Sequence, residues 1–334
     1  MAFTNVAAVR YLRTLVRDRL DSLRSGTYEP HDIRVFIKDE PHKISKMREG
    51  RYRLIMVMSL EDQMVDRMLM GTWPDAEKFW LIPGKTGWSP VPAGSRYVTS
   101  TFPGDVLATD CSAFDWTFPD WVGPLLLMLR LDMVQSLDDD YRTMLTRRWR
   151  AVIGPEAVLR LPDGTRFRQK RWGLMKSGWY RTIAENSAAQ VLINHLAWLR
   201  TYPRQPMPTI WTMGDDVLMH RPPFLDVTEF ETALATTGIL VKQSSLKREF
   251  AGFEFRGSRV NPLYPQKHRF LLHFVNPSIK GQVAMAYLCL YGAAEVSRIP
   301  PWLNKLMDHS PWTWRAAQLW ADGALTLNSD SRPP

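Results

Sequence analysis

Hydrophobic positions change period several times along the chain, and each change predicts an element. Val9, Leu12, Val16, Leu20 and Leu23 recur at helical spacing behind Thr4 or Asn5, with arginines on the other face, so an amphipathic helix is expected up to Gly26. Val35 to Ile37 and Leu54 to Val57 are short apolar runs of strand type that bracket a basic segment, read as a projecting basic hairpin. Thr72 to Thr101 is rich in Pro, Gly, Trp and Ser and reads as an irregular loop. An apolar strand entry then ends in Asp110, and Pro119 to Leu137 and Tyr141 to Trp149 read as helices around a turn at Asp138 to Asp140. Val158 to Phe167 is a hairpin turning at Pro162-Asp163-Gly164. Lys176 to Tyr202 is a Ser-Gly loop feeding a long helix, and Thr209 to Arg221 is strand, two-acid turn, strand. Further on, Leu225 to Thr237 predicts a helix, Gly238 to Lys247 a strand and loop, and Phe250 to Val260 a hairpin. Helical runs at Ser278 to Val296, Pro301 to Asp308 and Trp312 to Asp322 precede a polar tail, Asn328 to Pro334, expected to be disordered. No internal repeat is visible.

Composition narrows the function. The 334 residues can bury a substantial core and allow two or three subregions. Forty-three Lys and Arg against thirty-four Asp and Glu leave a charge of +9, which favours a polyanionic partner. No apolar run is long enough to span a membrane, and Arg10, Arg13, Arg17 and Arg19 interrupt any secretory signal, so a soluble chain is expected. Two cysteines, Cys111 and Cys289, exclude a zinc-type cluster and point to a reducing compartment. Fourteen Trp serve as core aromatics or as stacking platforms for bases.

The two-acid turn carries the candidate chemistry. Ile210, Trp211 and Met213 lead into Gly214, then come Asp215 and Asp216, and Val217, Leu218 and Met219 lead out. Taken alone, Gly-Asp-Asp is an ordinary hairpin connection. On a rigid support, however, two carboxylates are hard oxygen ligands of the kind that hold two divalent ions roughly 3.5–4 Å apart for phosphoryl transfer. Asp110 at the end of its strand supplies a third such carboxylate. Between the two early strands, Lys38, Lys43, Lys46, Arg48, Arg51 and Arg53 are dense enough to repel one another unless an anion neutralises them. Arg51 and Arg53 alternate with Tyr52, so on a strand both would share one face and fork onto phosphate oxygens. Thr182 and Asn186 share a helix face, a pattern that fits local capping as well as ligand contact. Arg166, Arg168, Lys170 and Arg171 read equally as a solvated face or as contacts to an RNA backbone.

The ordered set Lys38-Asp39-Glu40-Pro41-His42-Lys43, Lys46, Gly50-Arg51-Tyr52-Arg53-Leu54-Ile55 and Ser59 to Arg67 resembles the ring-finger motif of positive-strand viral RNA-dependent RNA polymerases, closest to the sobemovirus, polerovirus and barnavirus group. The resemblance extends over roughly Val35 to Val260 and implies an α+β right-hand fold, with an antiparallel, RRM-like palm sheet flanked by helices. Fingers would be 1–104, with an insertion at 136–176; palm 105–135 and 177–261; a short thumb 262–327; and a disordered tail 328–334. It implies two Mg2+ or Mn2+ ions on Asp110, Asp215, Asp216 and the peptide carbonyl at Cys111. Lys38, Lys46, Arg51 and Arg53 would meet the triphosphate. Asp115, Ser177, Thr182 and Asn186 would sense the ribose 2′-hydroxyl, with the Ser177-Gly178 loop rearranging on translocation. Lys242 or Lys247 would be the general acid, a choice the spacing leaves open. Lys43, Arg48, Arg168 and Arg256 would follow RNA, the last from a primer-grip hairpin.

Implied partners are a single-stranded RNA template, nascent RNA and NTPs, with a genome-linked protein primer and other viral replication proteins beside them. The implied location is the host cytoplasm, at membrane-associated replication complexes. The family usually has a larger N-terminal fingers region and a bigger thumb, which leaves open a fragment, a minimal enzyme, or the terminal part of a frameshift fusion. Two other readings stand beside catalysis of RNA synthesis: a non-catalytic RNA-binding palm, and a reverse transcriptase, which would use dNTPs.

Overall fold

The computed structural model describes residues 5–42 and 44–325. The first helix runs over Val6–Ser25; the Asn5 side chain accepts from the Ala8 amide at its start, and Gly26 closes it in the left-handed region. Its Leu23 and Val16 are buried against the rest of the N-terminal half.

Among the described residues eleven strands form three sheets. In the first, β1 (Ile33–Ile37) and β2 (Leu54–Val57) pair antiparallel, and β1 also pairs in parallel with β4 (Val158–Arg160), which hairpins to β5 (Arg166–Arg168). The expected basic hairpin is therefore real at its base but not along its arms. A short helix, Ile44–Arg48, interrupts it, and β2 begins only at Leu54. Arg51, Tyr52 and Arg53 lie in irregular backbone, so the shared strand face expected for the two arginines does not exist.

The central sheet has the order β6-β7-β3-β8, with β6 at Ile210–Met213, β7 at Asp216–His220, β3 at Val106–Cys111 and β8 at Val241–Ser245. Every pair in it is antiparallel. Strand β3 is buried along most of its length, which explains its unbroken apolar entry rather than an alternating one. One face carries the Thr182–Thr201 and Val227–Ala235 helices, whose buried Ile193, Ala197, Trp198, Phe230 and Leu234 join the main core. On the other side Trp88, Phe102, Phe250 and Phe255 cluster around Trp211, with ring centroids as close as 5.2 Å.

The third sheet, β9 (Glu249–Phe250), β10 (Phe253–Arg256) and β11 (Arg259–Pro262), contains the hairpin expected over Phe250 to Val260. The architecture is α+β with predominantly antiparallel sheets. Further expectations need correction, among them the turn read at Asp138 to Asp140, where Asp138 caps a helix over Asp139–Ile153. The segment read as irregular through Thr101 ends in a helix, Gly94–Thr101; a helix at Pro265–Leu271 precedes the expected C-terminal ones; and the helix read over Pro119 to Leu137 occupies only Val122–Asp132. The tail expected to be disordered lies outside the described residues. Among the described residues no helix is long and apolar enough to cross a membrane.

Candidate active site

The hairpin of β6 and β7 turns on Gly214-Asp215, with Met213 paired to Asp216. Gly214 has φ +65°, a backbone conformation that side chains resist, so glycine is required there by the turn itself. Asp216 opens β7 rather than standing free at the tip. Thr109 of β3 pairs with Val217, so one step further on Asp110, next to last in β3, lies beside Asp216, the first residue of β7. On its other side Asp110 pairs with Gln243 of β8.

Burial and mutual crowding show in the proton affinities of Asp215 and Asp216. Burial, then the charges of Asp215 and Asp110, push Asp216 up from 3.8 to about 7. Asp215 is raised by burial and further by Asp110 and Asp115. A positive charge answers them, since the Lys242 ammonium bonds Asp110 Oδ2 and its own proton is held more tightly as a result. Lys247 points elsewhere, 3.9 Å from Glu249 and exposed. Sequence left these lysines equivalent, but only Lys242 is at the acids.

Among the described residues no three His, Cys, Asp or Glu side chains are grouped closely enough to hold a metal ion in this conformation. The donor set nevertheless fits a hard cation. It is carboxylate oxygen throughout, it is self-repelling, and it has already drawn in an ammonium. The Cys111 thiol takes no part; burial raises it to about 11, and it accepts from Gln190 Nε2 at 3.2 Å.

Beside the acids lies a polar pair. Asn186 Nδ2 donates to Asp115 Oδ1 at 2.9 Å, joining the Thr182–Thr201 helix to a short helix at Phe114–Thr117. Burial raises Asp115, while the Asn186 bond and the nearby Arg53 charge oppose that rise. Asp115 is close enough to Asp215 to raise it, so the polar pair and the acids share one field. Ser177 and Thr182 are engaged differently. Ser177 Oγ accepts from the Met56 amide at 3.1 Å, and Thr182 Oγ1 donates to the carbonyls of Lys176 and Trp179 at 2.6 and 2.9 Å. Gly178 donates its amide to Met56 O at 2.9 Å, and a Cβ at this glycine would lie 2.4 Å from that oxygen.

The basic residues are held by acids of their own segment. Lys38 Nζ is 2.7 Å from Glu40, Arg53 is 3.5 Å from the same carboxylate, and Arg51 pairs with Glu49. Lys46 and Arg48 are exposed on the Ile44–Arg48 helix, and Lys43 lies outside the described residues. Arg168 is exposed on β5; Arg256 is 2.7 Å from Glu254.

Two supports escaped sequence reasoning. Gln190 also donates to the carbonyl of Asp215 at 3.2 Å, and Ser187 Oγ accepts from the Gly214 amide at 2.9 Å. Together with Asn186 they make one helix face that fixes the turn. The spacing from Asn186 to Gln190 was visible as i, i+4, but an apolar-flanked Gln carries no signal of its own.

The chain belongs to the family of viral RNA-directed RNA polymerases, whose model matches residues 3–93 and 103–261. Similar proteins come from the virus groups named by the motif resemblance. Protein P1-P2 of Turnip yellows virus is 35% identical over 225 residues, covering 60% of this chain and 20% of that protein. Replicase polyprotein P2AB of Southern bean mosaic virus is 31% identical over 208 residues, covering 59% and 20% respectively. The RNA-directed RNA polymerase of Mushroom bacilliform virus is 30% identical over 234 residues, 67% of this chain and 54% of that one. The matched region thus spans about a fifth to about half of these relatives' lengths.

Proposed function

We propose that this chain catalyses template-directed transfer of nucleotides from NTPs to the 3′-hydroxyl of a growing RNA strand, in replication and transcription of a viral genome. The observation that carries the reading is the convergence of Asp110 and Asp216 on adjacent strands, with Asp215 in the turn and the Asp115–Asn186 pair beside them. The central sheet with its two helices would be the palm, the sheet of β1, β2, β4 and β5 part of the fingers, and the helices after Pro262 a short thumb.

Asp110, Asp215 and Asp216, with the Cys111 carbonyl, would hold two Mg2+ or Mn2+ ions. When bound, these supply Lewis acidity that lowers the pKa of the primer hydroxyl and offsets charge on the α-phosphate and pyrophosphate. Lys242 is the better-placed lysine to deliver a proton to the leaving pyrophosphate, because its Nζ sits at the acids fully protonated. Lys38 and Arg53 share Glu40 in exposed or half-exposed ion pairs, which contribute about 0–1 kcal/mol each and so exchange readily for a triphosphate. Asp115, held by Asn186, would accept the ribose 2′-hydroxyl as a hydrogen-bond donor. Ser177 and Gly178, bonded to β2, would couple the nucleotide entry segment to the same pocket. A genome-linked protein primer, and a place in host-cytoplasmic replication complexes, remain parts of the proposal.

The test is magnesium- or manganese-dependent extension of an RNA primer on an RNA template, with NTPs and dNTPs in parallel and Asp215→Asn as control. NTP-only extension that the variant loses is expected. Equal extension by the variant would remove the assignment; dNTP use would favour a reverse transcriptase; and RNA binding without metal-dependent turnover would favour a scaffold.

A further inference from the structure

The fingers-side sheet brings three arginines into one row. Arg34 of β1 pairs with Arg160 of β4, and Arg160 pairs in turn with Arg166 of β5. All three side chains are exposed, and they line an open groove of about 800 Å³ with His31 and Phe36. Like charges directly opposite one another on adjacent strands are destabilising. Among the described residues only Arg166 has an acid to answer it, Asp32 at 2.6 Å. Among the described residues neither Arg34 nor Arg160 has an ion pair or a side-chain hydrogen bond. Phe36, two residues along β1 from Arg34 and thus on the same face, is 44% exposed and bonded to nothing polar.

We infer that this row is a binding track for single-stranded RNA outside the catalytic cleft, with Arg34 and Arg160 on consecutive phosphates and Phe36 as a stacking platform. Neighbouring strands lie about 4.8 Å apart, so guanidiniums on adjacent strands can reach successive phosphates of a flexible single strand. An exposed ring beside a basic groove is how sequence-tolerant single-strand sites are built. The inference rests on the polymerase reading for the identity of the polyanion. It does not involve Asp110, Asp215, Asp216 or the residues around them.

The experiment measures binding of a fluorescent single-stranded RNA to the full chain across a salt series, for the parent, Arg34→Gln/Arg160→Gln, Arg34→Lys/Arg160→Lys and Asp215→Asn. Each phosphate contact contributes about 0.7 to the slope of log affinity against log salt for single strands. The glutamine pair should lower that slope by about 1.4 and weaken binding roughly tenfold at low salt, the lysine pair should keep the slope, and Asp215→Asn should bind RNA like the parent. NTP incorporation by the glutamine pair at saturating RNA should match the parent, which separates failure of this surface from failure of the polymerase assignment. An unchanged slope and affinity in a folded glutamine variant would overturn the inference. If that variant does not fold, arginine-specific modification of the parent decides. Protection of Arg34 and Arg160 by RNA supports the track, and equal reactivity with and without RNA, as expected of a surface for an acidic protein, overturns it.

Discussion

The Asp216 carboxyl makes the apoprotein's stability depend on pH in a direction opposite to that of an ion-paired acid. Folding raises this group from 3.8 to about 7, so the folded state keeps a proton that the unfolded chain releases. Its full contribution is present below about pH 4, declines by about 1.4 kcal/mol per pH unit, and is gone once pH has risen through about 7. Across that window the difference amounts to ~4 kcal/mol. Burial is the larger cause and the neighbouring Asp215 and Asp110 charges the lesser. Asp216→Asn removes both the titration and the repulsion. The variant should therefore melt above the parent by several degrees at pH 8 and by roughly a third as much at pH 5.

Divalent cation acts on the same window. An ion held by ionised carboxylates competes with the proton, so Mg2+ should raise the parent's melting temperature more at pH 8 than at pH 6, and should raise that of Asp216→Asn much less at either. The assay is a pair of thermal melts by intrinsic tryptophan fluorescence, with Mg2+ or with chelator, at three pH values. A parent-to-variant difference that stays constant from pH 5 to pH 8 would refute the argument, because it would mean that Asp216 is ionised in the fold at both.

Three further outcomes follow from the geometry. Arg148 is buried between Asp66, at 2.6 and 2.9 Å, and Asp62 at 3.3 Å; Asp62 keeps Arg19, but Arg148→Met leaves the buried Asp66 without a countercharge and should cost about 3–5 kcal/mol in urea titrations. Gly178→Ala puts a methyl against Met56 O and displaces the Ser177-Gly178 loop from β2; single-turnover incorporation should slow markedly, while stability falls by only about 1–3 kcal/mol. Asn186→Leu deprives Asp115 of its donor, and the preference for NTP over dNTP, measured as a ratio of kcat/KM values, should fall about ten- to a hundredfold.

What could be read from sequence was what one stretch of chain determines for itself. The hairpin carrying Asp215 and Asp216, the strand that carries Asp110 and the Asn5-to-Gly26 helix are each set by a local period and a turn or cap, and each forms, the strand running one residue past Asp110. The placement of Arg51 and Arg53 failed because alternation alone does not make a strand: their segment has Glu49 and Glu40 for partners and, among the described residues, one backbone bond to the opposite arm, Lys38 N to Arg53 O. The Gly94–Thr101 helix was hidden by its Ser, Thr and Gly content, which favours turns in isolation and is overridden here by burial of Val98.

Long-range pairing was the deeper limit. Nothing near Lys242 or Lys247 says which of them meets Asp110, because that depends on β8 lying against β3 in one register. Arg34 and Arg160 are far apart in sequence and become neighbours only through the parallel pairing of β1 with β4. Gln190 and Ser187 gain their roles only when the long helix packs behind the turn at Gly214. A side chain's chemistry was legible wherever its partners lay within a few residues, whereas the assembly of a site from separate strands required the sheet.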